Sequence, residues 1–432
     1  MPIAAVAPLL SLTAGALAAL LLEAFLGRKA RGAPAWTALA GLAAAGWFVA
    51  RSWGLGLTGF GGRLVLDPLA LLVTAVVIAV AVFVLLMSLG YAPRRAIDLG
   101  QLSGLLLFAV AGLAIMVSTT DWLIIFLGLE VMSVASYALA GLRRDDRASA
   151  EAAAKYFLMG SFAGAFFVLG LAVLFGISGE LSLAASLGSP AGAPSATAAV
   201  GLALVLAALF FKIAVAPFHM WAPDVYQGAP TPVTAFLTIA PKAAGLAVLL
   251  RALGPMAGRG GAAPLVLQAV AAVAVLTMFA GNLAALRQTD AKRLLAYSAI
   301  AHSGYLLVAV VAADGAGLVF YLVAYAFMNA GAFAVLAAMS GNGEERTAVT
   351  DLTGLGRRHP WLAASLTVFL LSLAGIPPTA GFLAKFTIFG AAVAKGHIAL
   401  VVAAVLASLV SVAYYFKVIV AMYMREPAAE TS

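Results

Sequence analysis

The sequence predicts an all-α integral membrane protein with about thirteen transmembrane helices, two of them discontinuous. Of its 432 residues, 64% are hydrophobic and only 10% are charged, and the mean hydropathy is +1.08. A soluble protein could not cover its surface with so few charges. We therefore interpret residues 1–432 as a single polytopic membrane domain, with a repeat-containing core at about 99–424.

Apolar runs of about 20 residues set the order of the predicted helices. The first run, Ala5–Phe25, has no preceding basic segment and no clear cleavage site, so it predicts a retained span rather than a signal peptide. Two stretches rich in small residues, Ala185–Ala199 and Ser340–Thr353, are predicted to be loops. The approximate spans are 5–26, 35–53, 67–90, 99–118, 121–142, 150–177, 197–217, 231–253, 264–286, 293–313, 316–340, 360–394 and 398–424.

Two of the predicted helices contain a proline break at membrane depth. Ala216–Pro217 follows Lys212 closely in the seventh helix, and Gly375–Pro378 precedes Lys385 in the twelfth. Because proline removes a backbone donor and clashes with the preceding turn, both helices should be interrupted there. Unwound backbone at that depth is tolerated only where it is buried in protein or lines a wet cavity. Paired interruptions of this kind indicate inverted repeats with a site near the membrane midplane.

The distribution of basic residues predicts the orientation. Of the 25 lysines and arginines, 15 lie in alternate loops and at the C-terminal end, on a side that we call the basic face: Arg28, Lys29, Arg31, Arg94, Arg95, Arg143, Arg144, Arg147, Arg287, Lys292, Arg293, Arg346, Arg357, Arg358 and Arg425. The opposite side has only Arg51, Arg63, Arg251, Arg259 and Lys395. By the positive-inside rule the basic face is cytoplasmic and the N-terminus lies outside. The same rule explains the net charge of +8 without a nucleic acid partner.

Five ionisable side chains interrupt the apolar runs, and they are the candidate site residues: Glu130, Lys155, Lys212, Lys242 and Lys385. Such a group near the bilayer centre costs several kcal/mol unless it is paired or hydrated, so it usually faces the protein interior and marks an ion or proton path. One carboxylate and four lysines indicate a relay. A set of static ion pairs is the alternative interpretation, although buried pairs add little net stability.

Glu130 and Lys155 flank the same loop on a predicted helical hairpin, so we expect their side chains to approach each other, directly or through a water. A lysine close to a carboxylate changes its affinity for protons, which is the basis of a switchable proton site. Lys212 lies about one turn before its break, where a partly desolvated lysine can exchange a proton. His302 could pass protons between the two halves or simply hydrogen-bond its neighbours. His219 fits a packing and hydrogen-bonding role better.

Three other charged residues have simpler interpretations. Lys292, next to Arg293, is predicted to be a topogenic charge of the basic face. Lys417 is within reach of the same face and is predicted to snorkel. Asp67 directly precedes Pro68, as expected of a residue that begins a helix.

The sequence carries no redox or hydrolytic chemistry of its own. Cysteine is absent, which excludes thiolate-ligated iron–sulfur clusters, cysteine-based zinc sites and structural disulfides. No phosphate-binding glycine loop, dinucleotide fingerprint or metal-ligand spacing is present. The residues alone therefore predict a proton- or cation-conducting helical bundle whose energy source lies elsewhere.

Three long motifs resemble those of the antiporter-like membrane subunits of respiratory complex I, the bacterial NADH–quinone oxidoreductase. The motifs are Phe211–Val233 (FKIAVAPFHMWAPDVYQGAPTPV), Asn282–Tyr305, and Ser372–Phe386 (SLAGIPPTAGFLAKF). Together with Leu129–Glu130 and Ala154–Phe157, they extend the likeness over about residues 100–424.

Within this superfamily the chain looks most like the subunit N family. Asp224–Gly228 (DVYQG) has the subunit N form, and Ala235–Pro241 lacks the histidine that the sibling subunits and multisubunit sodium/proton antiporters usually carry. Lys385 stands where subunit M has a glutamate. The family pattern has fourteen helices, one more than the predicted spans of this chain.

The resemblance implies that Glu130, Lys155, Lys212, Lys242 and Lys385 form a central hydrophilic axis, along which redox chemistry in other subunits moves protons. NADH, FMN, iron–sulfur clusters and quinone would then belong to partner subunits, and this chain itself would need no cofactor. The implied partners are other membrane subunits of complex I, including sibling antiporter-like subunits, in the lipid bilayer of a bacterial inner membrane.

Other functions remain open at this point. The chain could be a subunit of a multisubunit sodium/proton antiporter or of a membrane-bound hydrogenase. It could also be a structural membrane spacer whose charges form static pairs, in which case substitution of Lys212 would be tolerated in an assembled complex.

Overall fold

The computed structural model describes residues 3–27, 32–186, 196–257, 263–341 and 345–425. The helices are α1 (Ile3–Leu26), α2 (Ala33–Arg51), α3 (Pro68–Tyr91), α4 (Leu99–Val117), α5 (Trp122–Ala140), α6 (Arg147–Ser178), α7 (Leu183–Ser186), α8 (Ala196–Lys212), α9 (Ala222–Gly228), α10 (Thr231–Leu253), α11 (Ala263–Leu286), α12 (Ala291–Val311), α13 (Gly315–Met339), α14 (Leu355–Arg358), α15 (Pro360–Ala374), α16 (Ala380–Ala394) and α17 (Ile398–Met424). Strands β1 (Thr58–Gly59) and β2 (Leu64–Val65) pair antiparallel. Outside the described residues lie the first basic loop (Arg28, Lys29 and Arg31), Arg259, and most of the predicted loop Ala185–Ala199.

The multi-pass membrane architecture is confirmed. Within the described residues, 11 helices are long and apolar enough to cross a membrane. Three shorter apolar helices, α8, α15 and α16, belong to the two segments that were predicted to be broken. Both predicted interruptions are therefore confirmed, while the total of thirteen spans stays a prediction.

The first break separates α8 from α9 and includes a cis peptide bond at Ala216–Pro217. Side chains from other helices satisfy its unwound backbone. The Ala216 N–H donates to Thr277 Oγ1 of α11 (3.0 Å), and Ser303 Oγ of α12 donates to the Ile213 carbonyl (2.6 Å). Since every polar backbone group at membrane depth needs a partner, these contacts explain why a non-helical segment is tolerated there.

The second break separates α15 from α16. Gly375 ends α15 in the left-handed conformation (φ +83°), which favours glycine. The Thr379 side chain caps α16 by accepting from the Phe382 N–H, and Ser372 Oγ accepts from the Gly381 N–H (3.1 Å). A compact, hydrogen-bonded turn thus joins α15 to α16.

Two helix pairs, α4–α5 and α11–α12, cross at corresponding positions of an internal repeat. A Cβ atom added to Gly112 would lie 2.5 Å from the Met132 nitrogen, and one added to Gly281 would lie 2.6 Å from the Ala301 nitrogen. The spacing along the chain from glycine to partner is the same in both pairs. Because only glycine permits backbones to approach this closely, both helix pairs cross at a glycine in the same register.

Helices α10 and α12 occupy the centre of the bundle, and nearly all of their residues are buried. Helix α10 packs against α3, α4, α12 and α13. At the end of α10 away from the basic face, Arg251 forms an ion pair with Asp67 (2.6 Å), and Asp67 begins α3 as predicted by accepting from the Ala70 N–H (2.9 Å). The candidate residues Lys242 and His302 lie on these two central helices.

Candidate functional site

Lys212 is enclosed at the last residue of α8, immediately before the first break. Only 1% of it is exposed. Its Nζ atom donates to Ser133 Oγ (2.7 Å) and to the Tyr137 hydroxyl (3.1 Å). The same atom lies 5.2 Å and 5.7 Å from the ring centroids of Tyr137 and Tyr156, where the ring faces attract a cation. An ammonium group is therefore accommodated here by hydroxyls and aromatic faces.

Glu130 is the acidic group of the Lys212 site. It lies on α5 on the same helix face as Ser133, is half-buried, and interacts electrostatically with Lys212. Among the described residues, no donor lies within hydrogen-bonding distance of its Oε1 atom. Gly164 permits α6 to approach the Glu130 carboxylate closely, because a Cβ atom at Gly164 would lie 3.0 Å from Glu130 Oε1. Lys212 thus faces a carboxylate that α6 covers.

The expected approach of Lys155 to Glu130 is wrong. Lys155 Nζ instead binds Asp224 (2.7 Å) and Glu151 (2.6 Å), and 41% of its side chain is exposed. The reason is helix geometry. Glu130 faces Gly164, which lies roughly 13 Å along α6 from Lys155 at 1.5 Å per residue. Lys155 therefore lies near the basic face, at the basic end of the bundle, rather than in the interior of the bundle.

Asp224 links three helices at that basic end. Its two carboxylate oxygens bind Lys155 of α6 and Arg293 of α12 (2.8 Å), while Asp224 itself lies on α9. Arg293 also donates to Gln227 Oε1 (2.9 Å). Because these side chains are partly exposed, each pair contributes little to stability, but together they connect the first and second halves of the repeat.

Lys242 and His302 lie together in the centre of the bundle. Lys242 is fully buried and donates to the Ala299 carbonyl of α12. The His302 Nδ1 atom lies 2.9 Å from the Tyr321 hydroxyl. The His302 ring interacts with the Leu373 backbone, and the Leu373 carbonyl also accepts from Lys385.

Lys385 is held against the second break. Its Nζ atom donates to Ser408 Oγ (2.8 Å) and to the carbonyls of Leu373 (3.2 Å) and Ala374 (3.1 Å). These carbonyls end α15, where unsatisfied acceptors and the helix dipole favour a cation. In the part of the chain that the structure describes, no carboxylate forms a salt bridge with Lys385. Gly375 leaves the space for its side chain.

Lys292 lies at the basic face as predicted, but it is buried there and is not a solvated loop charge. Its Nζ atom donates to Glu345 (2.7 Å) and to the Ala229 carbonyl (2.7 Å), and only 1% of its side chain is exposed. Glu345 also accepts from Thr231 Oγ1 (2.9 Å) and from the Tyr91 hydroxyl. Burial opposes ionisation of Glu345, but the Lys292 ammonium and these hydrogen bonds lower its pKa to about 2. A loop carboxylate thus fastens the junction of α9 and α10.

Two lower-ranked residues have local partners. His219 lies in the first break, half-buried, and its ring interacts with the Pro217 backbone. Lys417 donates to the Gln288 carbonyl (2.8 Å) near the basic face, consistent with the predicted snorkelling.

Five polar partners of the buried charges were not predicted from the sequence: Ser133, Tyr137, Asp224, Glu345 and Ser408. A signal existed for Ser133 and Tyr137, because they follow Glu130 at helical spacing on the same face of α5. Asp224 stood inside a recognised motif. Ser408 and Glu345 reach the site from a distant helix and a loop, so their spacing along the chain carried no signal. Within the described ranges, no group of three or more His, Asp or Glu residues could hold a metal ion.

Comparison with known proteins gives a consistent assignment. The family described as NADH:quinone oxidoreductase/Mrp antiporter, TM, matches residues 119–411. The NADH-quinone oxidoreductase subunit N of Trichlorobacter lovleyi is 44% identical over 95% of this chain and 85% of its own length. A chain in the structure of respiratory complex I from Thermus thermophilus is 37% identical with a TM-score of 0.83, and the match covers 98% of this chain and 90% of that one.

A chain of the Mrp complex from Dietzia sp. shares the fold at lower identity. It is 25% identical with a TM-score of 0.80, and the match covers 99% of this chain and 82% of that one. The family match extends over both breaks and over all five candidate site residues. From these matches and from the two interrupted helices, the chain belongs to the subunit N family of NADH-quinone oxidoreductases.

Proposed function

We propose that this chain is a proton-translocating membrane subunit of an NADH–quinone oxidoreductase and that it conducts protons along a buried glutamate and lysine axis. The observation that carries the proposal is the burial of Lys212, Lys242 and Lys385 inside one bundle, two of them at helix breaks. Such residues at membrane depth are costly to keep unless an ion path needs them. His302 supports a connected path, because its ring and Lys385 both bind the Leu373 backbone.

The axis begins at the Lys212 site and ends at the Lys385 site. Movement of Glu130 relative to Lys212 would change the proton affinity of Lys212, because an opposite charge favours the charged form. Lys242 and His302 would then pass the proton on to Lys385. Lys155, held by Asp224 at the basic end, belongs to the entrance of this path rather than to its interior.

The energy for translocation comes from partner subunits in this proposal. The chain has no cysteine to ligate an iron–sulfur cluster, and its relatives are named as subunits of a redox enzyme. NADH oxidation with FMN and iron–sulfur clusters, and quinone reduction, would occur in those partners. The partners would include sibling antiporter-like membrane subunits. The setting that we propose is a bacterial inner membrane, with the basic face cytoplasmic and the N-terminus outside.

A sodium/proton antiporter subunit is the second candidate, because the fold is shared with a chain of the Mrp complex. Sequence identity favours the first candidate, at 44% for the subunit N relative against 25% for the Mrp chain.

The test is to tag this chain, purify it from native membranes in mild detergent and assay NADH-dependent quinone reduction. Activity together with flavin- and cluster-bearing partner chains is the expected result. Recovery of small membrane proteins alone, with sodium-dependent proton flux and no redox activity, would favour the antiporter instead.

A further inference from the structure

A groove opens at the basic end of the bundle, between α1 and α5, on a floor formed by α4. Helix α4 packs against both of these helices. The groove has a volume of about 280 Å³ and is open to the surface on the side of Ala138, which is exposed. None of its residues takes part in the proposed proton path. Its polar residues are Gln101 and Arg144, and its apolar lining includes Leu20, Leu105, Ala138 and Leu142.

The polar and apolar residues of the groove lie at different depths. Gln101 lies two residues after the start of α4 at Leu99, and Arg144 follows the end of α5, so both lie at the basic face. Leu20 and Leu105 are each six residues from the basic ends of α1 and α4, which places them roughly 9 Å deeper at 1.5 Å per residue. The groove therefore matches an amphipathic ligand with a polar head and an apolar chain.

The apolar lining continues along α5 toward the centre of the membrane. Val131 and Leu127 follow Ala138 at helical spacing on the same side of α5, and they are 41% and 53% exposed. From Ala138 to Leu127 the helix rises roughly 16 Å. This length is close to half of a hydrocarbon core about 30 Å thick. The groove and this stripe together therefore fit one acyl chain of a single leaflet.

Arg144 provides a positive charge at the mouth of the groove. Its guanidinium donates to Gln101 Oε1 (3.1 Å). In the described ranges of the chain, no carboxylate forms a salt bridge with Arg144, whereas its neighbour Arg143 binds Asp146 (2.9 Å). The fork of N–H groups on a guanidinium matches the oxygens of a phosphate group. The mouth of the groove is therefore suited to a phosphate.

Glu23 is the acidic residue of α1 beside this groove, one turn beyond Leu20. Its Oε2 atom accepts from the Gly100 N–H at the start of α4 (3.3 Å). Gly100 permits this packing, because a Cβ atom there would lie 2.3 Å from the Glu23 Cβ atom. The free N–H groups and the dipole at a helix N-terminus stabilise a carboxylate. Glu23 is thus bound by α4, and the charge of Arg144 remains for a ligand.

We propose that this groove binds a phospholipid of the leaflet at the basic face, with its phosphate on Arg144 and Gln101 and one acyl chain along Leu105 and α5. Basic pockets between transmembrane helices bind phospholipid head groups in this way. A partner helix does not fit, since a helix is about 10–12 Å across and a single turn exceeds the volume of the groove. The bound lipid would hold the basic ends of α1, α4 and α5 together. The proposal goes beyond the proposed function and does not depend on proton translocation.

The test compares two lipid probes that carry the same photoreactive acyl chain, phosphatidylglycerol and diacylglycerol, of which only the first has a phosphate. Each probe is added to the purified, assembled complex in mild detergent, and the labelled peptides are identified by mass spectrometry. We expect phosphatidylglycerol to label α4 and α5 at the groove several-fold more than diacylglycerol. Arg144→Gln should abolish this preference, and Ala138→Trp, which fills the groove, should reduce labelling by both probes. Arg357→Gln, at another exposed arginine of the basic face, is the matched control and should keep the preference.

Equal labelling by both probes in the wild type would show boundary lipid without a phosphate site and would overturn the proposal. A preference that persists in assembled Arg144→Gln would overturn it as well. Crosslinks from the groove to a partner subunit, without lipid labelling, would show that a protein covers this face instead. If Arg144→Gln does not assemble, Gln101→Leu decides the matter. It removes the other polar group of the mouth and should reduce the preference for phosphatidylglycerol, and an unchanged preference would contradict the site.

Discussion

The two halves of the repeat hold a buried lysine with different chemistry. In the first half, Lys212 is bound by two hydroxyl groups and faces the carboxylate of Glu130. In the second half, Lys385 is bound by one hydroxyl group and the two carbonyls that end α15. When the two helix pairs are aligned at Gly112 and Gly281, Ala299 takes the place of Glu130. The Ala299 carbonyl binds Lys242.

In the proposed function, this difference gives the halves different tasks. A side-chain carboxylate can move toward or away from a lysine, so the charge near Lys212 can change. The end of a helix is a fixed partial charge, since its carbonyls are part of the backbone. We therefore propose that the first half responds to a signal, whereas the second half offers Lys385 a constant environment.

The largest expected effect comes from removing the carboxylate charge that acts on Lys212. Glu130 interacts electrostatically with the Lys212 ammonium, so its loss changes the free energy of ionisation of Lys212. Each ~1.4 kcal/mol changes a rate about tenfold. We expect Glu130→Gln to lower proton pumping about tenfold or more, measured as acidification of proteoliposomes during NADH oxidation. Asp145→Asn, at an exposed carboxylate of the basic face, is the control. Unchanged pumping in assembled Glu130→Gln would remove the distinction between the halves.

The second prediction concerns the ion pair of Glu345 with Lys292, which fastens the junction of α9 and α10 at the basic face. The pKa of Glu345 falls from an ordinary value near 4.5 to about 2, a shift that corresponds to about 3 kcal/mol of stability. Because the folded-state pKa is depressed, this stability is fully present above pH 4.5 and is lost as the pH falls toward 2. We expect Glu345→Gln to lower the unfolding temperature of the detergent-solubilised complex at pH 7 and to flatten its dependence on pH below 4.5. An unfolding temperature equal to that of wild type at pH 7 and also below pH 4.5 would contradict the role of this pair.

The third prediction compares one glycine from each half. In Gly375→Ala, the added Cβ would lie 3.1 Å from Lys385 Cδ, and the positive φ would itself cost about 1–3 kcal/mol. Gly164→Ala places a Cβ atom 3.0 Å from Glu130 Oε1 in ordinary helical backbone, so only the carboxylate must shift. We expect Gly375→Ala to reduce both assembly and pumping, and Gly164→Ala to reduce pumping alone. Quantifying the assembled complex on native gels separates loss of assembly from loss of pumping. Equal losses of assembly in Gly375→Ala and Gly164→Ala would contradict the prediction.

The smallest effect should come from the Ser408 hydroxyl. A hydrogen bond contributes about 1 kcal/mol net, and Lys385 keeps its two carbonyl partners in Ser408→Ala. We expect pumping to fall by about fivefold at most, clearly less than in Glu130→Gln. A larger loss than in Glu130→Gln would show that the fixed carbonyls do not hold the Lys385 ammonium.

The sequence predicted the fold and the buried lysines, but it predicted few of the contacts around them. Both breaks were visible because proline has a local effect on helices, and Lys212 and Lys385 stood out because charge is rare in apolar runs. The contact of Lys155 with Asp224 was missed, because side-chain reach depends on where α9 packs against α6. The contacts of Glu345 were missed for a similar reason, since a loop folds back over the α9–α10 junction and no periodicity predicts its path.

The most direct test of the central claim is the proton-to-electron ratio of assembled complex that carries Lys212→Met or Lys385→Met, measured in proteoliposomes. Lys417→Met, at a lysine that donates to the Gln288 carbonyl near the basic face, is the matched control. We expect a reduced ratio in both axis variants and a wild-type ratio in the control. A wild-type ratio in all three variants, with assembly intact, would contradict the claim that the buried lysines carry protons.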